Sequence, residues 1–147
     1  MKKLASILTI VMVFMFTSYT VNAQCDENTS AKKHSKSECT TASAKVAAIK
    51  FHADYCGACK KLEPKISELK KEYKDKGVAF VVFDFTDDTS KQKTQEMAKA
   101  EGLETVLNAY KGTGFIVLYD LENKKVIGKL KNSQNVDEME AKINAYL

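Results

Sequence analysis

The feature that most narrows the fold is a pair of cysteines, Cys56 and Cys59, set between two segments of different periodicity. Upstream, Val46-Ala47-Ala48-Ile49-Lys50-Phe51-His52 has the apolar content of a buried strand. Downstream, Leu62, Ile66, Leu69 and Tyr73 recur at helical spacing and share one face of a helix expected to end near Gly77. A strand that turns directly into a helix is half of an α/β unit, and here the turn carries the cysteines. Pro64 lies inside the helical pattern and removes one backbone donor, so a bend is expected a turn after the cysteines.

The remaining segments complete an α/β pattern. Val78 to Phe85 is rich in β-branched and aromatic residues, which predicts a central strand covered on both faces. Asp87, Asp88, Thr89 and Ser90 supply capping chemistry for a helix from Lys91 to about Glu101, with Gly102 as its C-cap, and Thr105 to Tyr110 reads as a further short helix. Phe115 to Tyr119 and Lys125 to Leu130 form an antiparallel hairpin about the turn Asp120 to Lys124. In the last helix Val136, Met139, Ile143 and Tyr146 or Leu147 face one way, and Asn135 with Glu138 matches a capping box. The order is β, α, β, α, β, β, α, without internal repeat.

Length and composition set the limits. The 147 residues suffice for one small domain, and 44% hydrophobic with 29% charged residues is the balance of a soluble globular protein. Lys2 and Lys3, the apolar stretch Leu4 to Phe16 and the small residues around Val21-Asn22-Ala23 read as a signal peptide over 1–23. The apolar run is shorter than the ~20 residues that span a bilayer, so no stable membrane insertion is expected after cleavage. The expected location is periplasmic or extracellular. Lipoprotein anchoring through Cys25 is the weaker reading, because Gln24 precedes it where a small residue is usual. Residues 24–44 are rich in Ser, Thr, Lys and Asn and read as a flexible segment, leaving 45–147 as the domain. Two of the 23 basic residues are the signal lysines, so the formal charge falls from +4 to +2 on cleavage. Lysines are interspersed with Glu and Asp, and no basic stripe with exposed aromatics suggests nucleic acid.

The cysteine spacing carries the chemistry. At the start of a helix, unpaired backbone N–H groups and the helix dipole favour negative charge on Cys56 and lower its pKa from the ~8.5 of a free thiol. Cys59, one turn on, is placed to attack a mixed disulfide and release product. A zinc site would want four ligands, and Cys25 and Cys39 are widely spaced in the polar segment. Haem attachment would need histidine where Lys60 stands.

The stretch Phe51-His52-Ala53-Asp54-Tyr55-Cys56-Gly57-Ala58-Cys59-Lys60 resembles the thioredoxin family, with Tyr55 where the family usually has tryptophan and Pro64 five residues after Cys59. The resemblance extends over Ala47 to Leu147. It implies a thioredoxin fold, a central mixed sheet of four to five strands flanked by helices. It also implies thiol:disulfide oxidoreductase activity of the protein-disulfide reductase type at Cys56 and Cys59, with no cofactor. Exported protein disulfides and an external dithiol donor are the expected partners, and a monomer is expected.

Three positions depart from the family pattern. Thioredoxins carry a cis-proline in the substrate loop that faces the cysteines; here Lys111-Gly112-Thr113-Gly114-Phe115 aligns with it and Gly114 takes the proline's place, so Thr113 and Gly114 are the expected substrate loop. A glycine there holds the loop less rigidly and makes metal binding at the cysteines less remote. Lys50 replaces a buried acidic residue that assists proton transfer; stabilising thiolate, pairing with Asp84 and snorkelling to solvent are its open roles. His52 stands where an aromatic is common, and thiolate stabilisation, proton transfer, metal ligation with the cysteines and simple packing are its open roles. Gly57-Ala58 contains no histidine, which favours a reducing or mild exchange role. For Cys25 and Cys39, a second disulfide, electron shuttling and no role stay open. Two other functions compete: a metal-binding module using Cys56, Cys59 and His52, and a redox-inactive domain that binds partners.

Overall fold

A computed structural model describes residues 44–147; the stretch read as a signal peptide, most of the stretch read as flexible, Cys25 and Cys39 lie outside the described residues. The elements are β1 (Val46–His52), α1 (Gly57–Glu72), β2 (Val78–Asp84), α2 (Asp88–Ala100), α3 (Glu104–Ala109), β3 (Phe115–Asp120), β4 (Lys125–Lys131) and α4 (Val136–Asn144). The four strands form one sheet in the order β2-β1-β3-β4. β1 and β2 are parallel, joined through α1, while β1–β3 and β3–β4 are antiparallel. This is the mixed, helix-flanked α/β architecture of the thioredoxin fold.

Alternation along β1 divides the core into two layers. Val46 and Ala48 pack with Leu62, Ile66 and Leu69 of α1 and with Met139 and Ile143 of α4. Ala47, Ile49 and Phe51 face the opposite way, against Phe83, Ala98, Leu103 and Val106 beside α2 and α3. A strand buried on both faces can be apolar at nearly every position, and β1 is. Lys50 is the exception, a charged residue on the α1 face of this central strand.

The strand taken from sequence as central, β2, lies at one end of the sheet formed by the described residues. Its alternating burial shows why the sequence misled: Ala79, Val81 and Phe83 are buried while Val78, Phe80 and Val82 are only partly covered. Partial cover under α1 suffices to select apolar residues on both faces without placing the strand inside the sheet.

Helix ends follow local chemistry. α1 stops at Glu72, short of Gly77, because the chain turns through left-handed conformations at Asp75 (φ 65°) and Gly77 (φ 75°). Pro64 lies inside α1 without ending it. α2 starts earlier than expected, at Asp88, since the Asp87 carboxylate caps it by accepting the Ser90 N–H at 2.7 Å. The capping box at α4 is present as read: Asn135 accepts from the Glu138 N–H at 2.8 Å, and Glu138 accepts from the Asn135 N–H at 3.0 Å.

Candidate active site

Cys56 is the N-cap of α1. Its backbone is extended (φ −84°, ψ 107°), and its Sγ accepts the Cys59 N–H at 3.1 Å. The sulfur thus occupies the position where a capping oxygen would satisfy one of the helix's unpaired donors. Cys56 and Cys59 are joined as a disulfide with Cα atoms 5.2 Å apart. The two cysteines differ in burial: Cys56 is half-buried, Cys59 fully buried. Cys59 Sγ lies 3.6 Å from the Phe51 carbonyl oxygen at the end of β1.

Gly114 closes over this pair. Its N–H donates to the same Phe51 carbonyl at 2.8 Å. Its φ of +91° lies in the left-handed region, and a Cβ there would stand 2.7 Å from Ala58 Cβ and 3.3 Å from Cys56 Sγ. Thus the loop read as the substrate loop does face the cysteines, with Thr113 half-buried beside it. Proline cannot adopt this φ and has no N–H for the Phe51 carbonyl, so glycine here builds a different backbone geometry.

Lys50 is only 6% exposed and its ammonium pairs with the Glu63 carboxylate of α1. Of its open roles, pairing with Asp84 is overturned. Asp84 Oδ1 is already committed to Thr86, accepting its N–H at 2.9 Å and its hydroxyl at 2.5 Å. Glu63 hangs over β1 because it lies one helical turn beyond Cys59. Neither does the lysine snorkel free to solvent.

His52 contacts Asp54: its Nε2 lies 3.1 Å from Asp54 Oδ1. Its Nδ1 is buried and has no hydrogen-bond partner among the described residues. Among the described residues no three His, Cys, Asp or Glu side chains gather in an arrangement that could hold a metal ion, so His52 does not join Cys56 and Cys59 in a ligand set. Tyr55, 73% exposed, stands beside Cys56 with its hydroxyl donating to the Phe85 carbonyl at 3.4 Å. The turn holding these residues is clamped at Asp54, whose N–H donates to Thr86 Oγ1 at 3.1 Å.

On the opposite sheet face an aromatic cluster supports the site. The Phe51 ring stacks on Phe115 with centroids 4.8 Å apart and meets Phe83 edge-on at 5.3 Å, while Lys129 Nζ lies 3.5 Å from the Phe115 centroid. Sequence reading missed Glu63, Asp54 and the Phe51 carbonyl. The i, i+4 spacing of Glu63 from Cys59 does not name Lys50 as its partner, and a backbone oxygen leaves no signal at all.

A helix-flanked mixed sheet with a disulfide at the N-terminus of its first helix defines a dithiol–disulfide redox domain. A thioredoxin family profile matches residues 27–144, and the chain belongs to the thioredoxin family. Among solved structures, a candidate thiol:disulfide interchange protein DsbE from Chlorobium tepidum is 23% identical, with 71% of this chain and 81% of that chain covered and a TM-score of 0.51. Thioredoxin f2 of Chlamydomonas reinhardtii is 24% identical, covering 69% and 79%, with a TM-score of 0.46. A mutant thioredoxin from Halobacterium salinarum is 23% identical, covering 72% and 79%, with a TM-score of 0.47. A comparison with curated protein sequences finds no significant match.

Proposed function

We propose that the chain is an exported thiol:disulfide oxidoreductase that reduces or exchanges disulfides in exported proteins through Cys56 and Cys59. The observation that carries this reading is the asymmetry of the pair: a half-buried Cys56 at the N-terminus of α1, bonded to a fully buried Cys59. In the reduced protein the helix N-terminus favours thiolate at Cys56, which attacks one sulfur of a substrate disulfide and releases the other as a thiol. Cys59, as thiolate, then attacks Cys56 Sγ; the Cys56–Cys59 bond forms, the Cys56–substrate bond breaks, and the electron pair leaves on the substrate sulfur. An external dithiol returns two electrons and two protons to the pair. Thr113 and Gly114, against Cys56, are the proposed place where substrate backbone lies. Export rests on the charged, then apolar, then small-residue order of residues 1–23.

Reduction of insulin with dithiothreitol as donor tests the activity. Wild-type mature protein accelerates insulin precipitation, Cys56→Ser abolishes the effect, and Cys59→Ser accumulates a mixed disulfide through Cys56. A correctly folded protein that leaves insulin oxidised would refute the reading and favour a domain that only binds partners.

A further inference from the structure

Resolving a mixed disulfide requires Cys59 as a thiolate. Cys59 is 0% exposed, so its proton passes to a protein group or an enclosed water rather than to bulk solvent. We infer that His52, held by Asp54, is the base that takes the Cys59 proton. This deepens the thiol–disulfide reading and rests on it.

The geometry has three parts. First, the Phe51 carbonyl that lies 3.6 Å from Cys59 Sγ belongs to the peptide joining Phe51 to His52, so the sulfur sits beside the His52 backbone. Alternation along β1 puts the His52 side chain on the same sheet face as Lys50, Ala48 and Val46, the face that α1, the helix carrying Cys59, covers. Second, a carboxylate only accepts hydrogen bonds, so Asp54 Oδ1 at 3.1 Å fixes the hydrogen of a neutral imidazole on Nε2 and leaves Nδ1 as a bare lone pair. Third, that Nδ1 is buried without a partner among the described residues. An unmet buried acceptor is costly and calls for a donor that arrives in another state of the protein. The disulfide has no proton to give; the reduced Cys59 thiol has one.

The other charged groups around the ring are occupied. Lys50, two residues earlier on β1, is a donor paired with Glu63 of α1. Asp84 of β2, the register partner of His52, accepts twice from Thr86. Asp54 is left to stabilise the imidazolium, as the third member of a nucleophile–base–carboxylate series does. In the resolving step the Cys59 proton moves to Nδ1, directly or across one water. Thiolate Cys59 then closes the Cys56–Cys59 bond, and the imidazolium returns its proton to the departing substrate thiolate.

The test is stopped-flow reaction of the reduced protein with 5,5′-dithiobis(2-nitrobenzoate). One thionitrobenzoate leaves when Cys56 attacks and a second when Cys59 resolves. At pH 7, His52→Asn is expected to slow the second phase about 100-fold while changing the first by less than about threefold, and Asp54→Asn to slow the second about tenfold. The deficit shrinks as pH rises, because hydroxide replaces the missing base. His52→Gln, with thermal melting of both variants in the oxidised state, ensures that a folded protein is read. A second phase within about threefold of the parent, an equal loss in both phases, or a deficit independent of pH overturns the assignment. So does a loss that appears in Lys50→Met and not at His52. Absence of any first phase in the parent defeats the thiol–disulfide reading itself, whereas a normal first phase with an indifferent second removes only the role of His52.

Discussion

Substituting Gly114 by alanine tests whether the loop over the disulfide is held by the absence of a side chain. The added methyl meets two separate penalties. Placing an L-residue at φ +91° costs about 1–2 kcal/mol from the clash of Cβ with its own backbone. Bringing that Cβ to 2.7 Å from Ala58 Cβ forces either the loop or the first turn of α1 to move, and overpacking of this kind costs about 1–3 kcal/mol. Together they predict a loss of about 2–5 kcal/mol in the oxidised protein, a fall of at least about 8 °C in melting midpoint for a domain of this size. Urea denaturation followed by far-UV circular dichroism measures it, as a lower midpoint at unchanged slope. Ala58→Gly removes the opposing methyl and by itself costs about 0.5–1 kcal/mol of helix propensity. Combined with Gly114→Ala it restores about 1–3 kcal/mol, the steric share, while the dihedral share stays lost. Gly114→Pro, which would bring in the ring usual in the family, is worse than alanine, since it also removes the N–H that donates to Phe51 at 2.8 Å. A Gly114→Ala protein within about 0.5 kcal/mol of the parent, or a double variant with no recovery, refutes the reasoning.

Other substitutions probe the surrounding framework. Lys50 is buried and Glu63 largely exposed, so Glu63→Gln strands a buried ammonium and costs about 1–3 kcal/mol, while Lys50→Met is close to neutral; urea midpoints that rank them the other way contradict the pairing. Tyr73 is tied to α4, its hydroxyl donating to Asn144 Oδ1 at 2.8 Å and lying 3.2 Å from the Glu140 carbonyl, and Tyr73→Phe is expected to lower stability by about 0.5–1.5 kcal/mol in a denaturant titration. Burial, then the nearby charges of Glu140 and Glu72, raise the Tyr73 pKa above its ordinary 10.0. Its contribution is therefore complete below pH 10 and is lost as pH rises toward the folded value, a slope that Tyr73→Phe should flatten in melts at successive alkaline pH values. Asn135→Ala removes the α4 capping box and should cost about 1 kcal/mol, read as earlier thermal unfolding; an unchanged midpoint argues against the cap.

Signals that reside in neighbouring residues were legible in the sequence. The apolar run of β1, the helical spacing of α1, the hairpin of β3 and β4 and the Asn135–Glu138 box depend on contacts a few residues apart, which composition and spacing encode directly. So does the Cys56–Cys59 pair, because one turn of helix is enough to bring the sulfurs together. The place of β2 at one end of the sheet of the described residues was hidden, since partial cover and full burial both select apolar residues. Glu63 as the partner of Lys50 was hidden for a related reason: the sequence offers several acids, and only the seating of α1 on β1 selects one.

What the sequence by itself determined is therefore a redox pair at a strand–helix junction in an α/β domain, for these follow from local periodicity and spacing. Tertiary structure alone decided the surroundings of that pair. It set a left-handed Gly114 against Ala58 and Cys56, and it gave one carbonyl, Phe51, to both the loop and the buried sulfur. It also left His52 with one nitrogen on Asp54 and the other without a partner among the described residues. These relations join residues up to 63 positions apart, as Phe51 and Gly114 are. They arise where the sheet register and the docking of α1 are fixed together, and no short window of sequence contains both.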